Sequence, residues 1–173
     1  MTGRAWYVAI LALAACSPKA AGSGAQPTPY DQQGAASADT TPVVKLERAP
    51  CFGTCPVYEV SISRSGKVRY LGKNHVRTAG VASALIEPEQ VDSLLKALDS
   101  GGYFGFADGY VMDSPACGMY ATDSPTVITS VTAGGRSKTI RHDYGCHGAP
   151  RELAGLERMI DDVAGTDQWT GRE

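Results

Sequence analysis

The sequence predicts an α+β domain: an antiparallel sheet packed against two helices, in the order strands, helix, strands, helix, stapled by disulfides. Apolar and polar residues alternate on either side of short glycine turns, and two later stretches place Leu, Val and Ile at helical spacing. Four cysteines remain when the one at position 16 is set aside, an even number that supplies the staples.

Each element has its own local signal. The folded part begins near Val43. Tyr58-Glu59-Val60-Ser61-Ile62-Ser63 alternates as a half-buried strand does, Arg64-Ser65-Gly66-Lys67 supplies a turn, and Val68 to Gly72 returns as the second arm of a hairpin. A further strand or pair of strands lies between Asn74 and Ile86, with His75 at a strand-like position and Gly80 marking a bulge or break. Pro88 suits the first turn of a helix, and Val91, Leu94, Leu95 and Leu98 form one apolar stripe before Gly101-Gly102 stops it. Thr126 to Thr132 and Arg136 to His142 form a second hairpin closed by Gly134-Gly135. A second helix follows Pro150, with Leu153, Leu156, Ile160 and Val163 inward and Gly165 as its stop. Short hairpin connections require antiparallel pairing.

Ahead of this domain, Met1-Thr2-Gly3-Arg4 precedes an apolar run from Ala5 to Ala15, the charged and hydrophobic regions of a signal peptide. A bilayer span needs roughly 20 apolar residues, more than this run has. It ends in Leu13-Ala14-Ala15-Cys16, which resembles the lipobox of bacterial lipoproteins. That resemblance implies a signal peptide over residues 1–15, cleavage before Cys16, and lipidation of Cys16 by several acyl chains such as palmitate, enough for stable membrane attachment. Ser17 stands where aspartate would retain such a protein in the inner membrane, so the outer membrane, facing the periplasm, is expected. From Ser17 to Pro42 the chain is rich in Ala, Gly, Ser, Thr, Pro and Gln, with Tyr30 its single aromatic residue. Residues 16–42 therefore read as lipidated cysteine and disordered tether, about 28 Å in root-mean-square reach, ahead of one globular domain over 43–173.

The leader's only charge is Arg4, so the mature chain carries 15 basic against 18 acidic residues, a net charge of −3. No basic cluster stands out, which argues against a nucleic-acid partner. In an exported chain, Cys51, Cys55, Cys117 and Cys146 read as two disulfides. Three pairings are open. Cys51 with Cys55 and Cys117 with Cys146 is the favoured one, because Gly53 permits the tight turn that brings the first pair together.

Arg48-Ala49-Pro50-Cys51-Phe52-Gly53-Thr54-Cys55-Pro56-Val57-Tyr58 resembles the leading motif of an uncharacterised bacterial family, domain of unknown function 6438. The likeness runs from roughly Val43 to Trp169, through the turn at Gly66, the Val91 to Leu98 helix, Thr122-Asp123-Ser124-Pro125-Thr126 entering a strand, and Ile160-Asp161 with Trp169. It implies a small envelope domain, often on a lipoprotein, without an established activity.

Three constellations invite chemistry. Cys51, Cys55 and Cys146 with His142 or His147 have the ligand types of a tetrahedral zinc site, against which stand export and the even cysteine count. Ser93-Leu94-Leu95-Lys96 matches S-x-x-K, but its leucines belong to the apolar stripe, which turns Ser93 and Lys96 to solvent. Asp108, Asp113 and Asp123 lie among Tyr103, Phe104, Phe106, Tyr110 and Tyr120, either as a carboxylate-rimmed cleft or, more commonly, as turn caps beside core aromatics. The expected protein is thus a non-catalytic envelope lipoprotein, bound to the membrane by its N-terminal lipid. Its domain would bind an envelope protein or cell-wall partner, and no catalytic residue, metal or cofactor is assigned. Two alternatives stand beside it. One is a hydrolytic or metal-dependent enzyme, whose sign would be a cleft gathering Asp113, Asp123 and His142. The other is an inhibitor of an envelope enzyme, presenting an exposed aromatic patch from Tyr103 to Tyr120.

Overall fold

A computed structural model describes residues 40–171. The expected leader, Cys16 and all but the last three residues of the expected tether lie outside the described residues.

The chain forms β1 (Pro42–Arg48), β2 (Val57–Ser63), β3 (Lys67–Asn74), β4 (Gly80–Leu85), α1 (Pro88–Ser100), a short 3-10 turn (Tyr103–Gly105), β5 (Gly109–Tyr110), β6 (Thr126–Ala133), β7 (Arg136–Asp143), α2 (Arg151–Ala164) and α3 (Asp167–Thr170). Among the described residues, all seven strands join one sheet in the order β4-β3-β2-β1-β6-β7-β5. The fold is α+β, but the expected order of strands, helix, strands, helix is inexact, because a 3-10 turn precedes β5 and α3 follows α2, and the expectation of a purely antiparallel sheet is corrected: β5 runs parallel to β7. Antiparallel pairing follows only for strands joined by short turns. β5 is not so joined to β7; its chain passes through residues 111–125 and β6 before β7 forms beside it.

β1 is the central strand, with β2 on one side and β6 on the other, and Leu46 aligned with both Val60 and Thr129. Its period of two is plain in the burial: Val44, Leu46 and Arg48 turn inward, while Lys45 is exposed and Glu47 half-exposed. The turn between β2 and β3 needs Gly66, which is buried at φ +85°; an added Cβ would sit 1.9 Å from the Ile86 carbonyl oxygen. Gly134 and Gly135, at φ +56° and +72°, close the β6–β7 hairpin as a two-residue turn between paired Ala133 and Arg136. His75 lies just past β3 in a turn with φ +50°, exposed, rather than in a strand.

Both long helices cover one face of the sheet. α1 buries Val91, Leu94, Leu95 and Leu98, the four residues of its stripe. Its first turn has Pro88 at the start, and the Glu87 N–H donates to the Gln90 side-chain oxygen at 3.1 Å. α2 buries Leu153, Leu156 and Ile160 as expected and ends at Gly165 with φ +64°, but Val163 is only half-buried and Ala164 takes the inward place. α3 lays Trp169 on Tyr70, with stacked ring centroids 4.8 Å apart. The opposite face of the sheet carries charges and hydroxyls, where Lys73 bridges Glu47 and Glu59 at 3.0 and 2.5 Å. Packing one face and wetting the other is what the strands' alternation encodes. Among the described residues, no helix is long and apolar enough to cross a membrane.

Candidate functional site

Beneath α2 the apolar core is interrupted by a connected set of polar side chains. Arg48, at the inward end of β1, donates from Nε to Asp161 Oδ2 at 2.8 Å and to the Tyr58 hydroxyl at 3.1 Å, and its Nη2 also bonds Asp161 Oδ2. Tyr58 donates to Asp161 Oδ1 at 2.7 Å, and Thr166 donates to the same oxygen at 3.3 Å. Arg48 Nη1 reaches the Tyr144 hydroxyl at 3.4 Å, and that hydroxyl donates onward to Glu157 Oε2 at 2.9 Å. Glu157 Oε1 lies 2.9 Å from His142 Nδ1. Glu157 and His142 are 1% and 4% exposed, so these polar groups sit where water cannot serve them and must serve one another.

Electrostatics follow from that burial. Desolvation alone would make the Arg48 guanidinium easier to deprotonate, but Asp161, Tyr58 and Tyr144 outweigh it and hold Arg48 above its ordinary pKa. Burial, then the Asp161 charge, pushes the Tyr58 hydroxyl up, with Arg48 opposing. Burial likewise raises Tyr144, and it pushes Tyr103 up to about 12. The network reaches solvent at a cleft of about 330 Å³ lined by Arg48, Tyr58, Asp161, Arg158, Asp162 and Thr166, among others.

The end of the sheet where β1 stops and β6 starts is built differently. Cys51 and Cys55 are disulfide-bonded, as are Cys117 and Cys146, which is the pairing the sequence favours. The zinc alternative requires three of these as thiolates; all four are in disulfides, and among the described residues no group of three or more His, Cys, Asp or Glu is placed to hold a metal ion. The first loop is tied to the segment before β6 by the Phe52 N–H, which donates to the Asp123 carbonyl at 3.4 Å. The second staple is reinforced by a bridge between Tyr120 and Cys146 and by the His147 N–H, which donates to the Met119 carbonyl at 2.9 Å. On these braced loops Phe52 is 89% exposed and Met119 73%, against the ordinary tendency of such side chains to bury.

Several expectations change. Asp113 and Asp123 are exposed turn residues at φ +70° and +69°, whereas His142 is buried against Glu157, so the proposed catalytic cleft is not assembled. Asp108 pairs with Lys138 at 2.5 Å. The aromatic patch offered as an inhibitor's interface turns inward: Tyr103 is fully buried and donates to Thr129 at 2.7 Å, Tyr110 is 5% exposed, and Phe104, Phe106 and Tyr120 are half-buried. Completing the core removes their large apolar area from water, and Tyr103 meets a hydroxyl there. Ser93 and Lys96 face solvent on α1. Sequence reasoning missed the Arg48, Tyr58, Tyr144, Glu157 and Asp161 network. Its signals were present: Arg48 continues the inward alternation of Val44 and Leu46, and Glu157 stands inside the apolar stripe of α2.

A single α+β sheet domain, covered by helices on one face and clamped by two disulfides, is the class these features define. The family model described as a domain of unknown function, DUF6438, matches residues 42–164, and the chain belongs to that family. A search of curated proteins finds no match.

Proposed function

We propose that the chain is a cell-envelope lipoprotein, anchored through lipid on Cys16 at the periplasmic face of the outer membrane. Its domain is a non-catalytic module that binds an envelope protein through the disulfide-locked end. The carrying observation is the pair Phe52 and Met119, each more than two-thirds exposed on loops that two disulfides prevent from collapsing. Rigid loops lose little entropy on binding, and exposed aromatic and Met side chains are the types enriched in protein interfaces. Two disulfides also suit an oxidising compartment. The polar network supports the non-catalytic part: its carboxylates, guanidinium and tyrosines are engaged with one another, and among the described residues no Ser, Thr or Cys side chain bonds to His142.

The test replaces Phe52 in the full chain with a photoreactive phenylalanine analogue and irradiates intact cells. A discrete adduct with one protein is expected, absent when the same analogue stands at Ser93 on the outward face of α1. Equal labelling from both positions, or none from position 52, overturns the binding surface. Cys16→Ser tests the anchor separately, because it should move the protein from the membrane to the soluble fraction.

A further inference from the structure

The edge of the sheet offers a second surface, and the inference from it does not rest on the reading above. Among the described residues, β4 ends the strand order and pairs only with β3. Among the described residues, no backbone hydrogen bond from outside the sheet reaches Gly80–Leu85. Such an edge carries unmatched N–H and C=O groups that can template another strand, and proteins ordinarily block it with lysine, other charges or proline. Gly80-Val81-Ala82-Ser83-Ala84-Leu85 contains none of these.

The strand is also complementary to itself. Val81, Ser83 and Leu85 point to the open face of the sheet, Val81 and Leu85 being 63% and 80% exposed, while Ala82 and Ala84 are half-buried toward the helices. Laid antiparallel on a copy with Ser83 opposite Ser83, Val81 meets Leu85 on the open face and Ala82 meets Ala84 on the other. Cross-strand apolar pairs and a hydroxyl pair are favourable in such a ladder. The charges beside it on β3, Lys67 and Arg69, lie opposite Leu85 and Ser83, one strand spacing further from the copy, and β4 itself carries no charge, so no like charges face one another within the ladder.

We propose that β4 pairs with β4 of a second copy of this chain across a two-fold axis through Ser83, forming one continuous sheet with the helices of both copies on the same side. Such an interface is closed and self-limiting, because the same patch serves both partners.

Cysteine crosslinking of the full chain in freshly broken cells, where an added oxidant reaches the protein whatever its compartment, tests this. Across a two-fold at Ser83 the two Cα atoms stand about 4.5–5.5 Å apart, within disulfide reach. The four domain cysteines are already paired and do not compete. Ser83→Cys with a mild oxidant is expected to give a reducible band at twice the monomer mass, at least tenfold stronger than Ser93→Cys on α1. Val81→Cys mixed with Leu85→Cys should crosslink where neither does alone, and Val81→Lys added to Ser83→Cys should suppress the dimer at least tenfold. No dimer from Ser83→Cys, equal dimer from Ser93→Cys, or adducts formed only with other proteins would each overturn the pairing.

Discussion

Replacing Asp161 with alanine is expected to destabilise the domain by about 3–5 kcal/mol, the usual result of stripping one partner from a buried ion pair. The Arg48 and Asp161 side chains are 9% and 14% exposed, so solvent replaces little of what is lost. Without the carboxylate, the Arg48 side chain keeps, among the described residues, the neutral hydroxyls of Tyr58 and Tyr144, and an unneutralised guanidinium remains in the core. The opposite single change, Arg48→Met, should cost less, about 1–3 kcal/mol, because Asp161 still accepts from Tyr58 and Thr166. Combining Arg48→Met with Asp161→Leu removes both charges, and the double variant should be more stable than Asp161→Ala. Urea unfolding reads this directly. With a denaturant slope of about 2 kcal/mol/M, a loss near 4 kcal/mol lowers the midpoint by about 2 M. A loss below about 1 kcal/mol for Asp161→Ala, or a double variant that merely adds the two single losses, would refute the account of the network as a mutually dependent unit.

Alkaline pH should weaken the fold through Tyr103. Its native value near 12 lies above the ordinary 10, so the native state keeps a proton that the unfolded chain releases. The contribution is complete below about pH 10 and disappears as pH rises toward 12; Tyr103→Phe should flatten that part of a stability profile. Losing the Cys117–Cys146 staple, measured with both residues changed to serine, should cost about 3.6 kcal/mol, against about 2 for Cys51–Cys55, since the longer loop frees more unfolded-state entropy. Equal losses in thermal unfolding would contradict this ordering. Gly66→Ala should be far more damaging than Gly135→Ala: both have positive φ, but only at Gly66 does the new methyl collide with backbone. The expected losses are above about 2 kcal/mol and about 1 kcal/mol, measured by denaturant midpoint.

Much of the fold is local and was legible for that reason. The β2–β3 and β6–β7 hairpins, the four-residue stripe of α1 and the glycine stop of α2 each arise from residues a few positions apart, whose spacing alone selects the element. Cys51 and Cys55 are legible as a pair because a short loop with glycine brings them together. β1 escaped notice because its inward series ends in Arg48, a residue that reads as exposed until its partner is known. β5, with two residues, is too short to leave a pattern. The same limit hid the polar network: Arg48 and Asp161 are 113 positions apart, and Glu157 looks like a defect in an apolar stripe until His142 and Tyr144 arrive beside it.

The sequence by itself determined the α+β class, the two hairpins, the two long helices and a cysteine pairing worth favouring, because hydrophobic periodicity and turn chemistry act over a few residues. Only the tertiary structure decided that β1 is central, that β5 runs parallel to β7, that the Tyr103 to Tyr120 aromatics face inward, and that Phe52 and Met119 stay out. Each of those outcomes depends on which distant surfaces meet, and burial is a property of the meeting rather than of the residue.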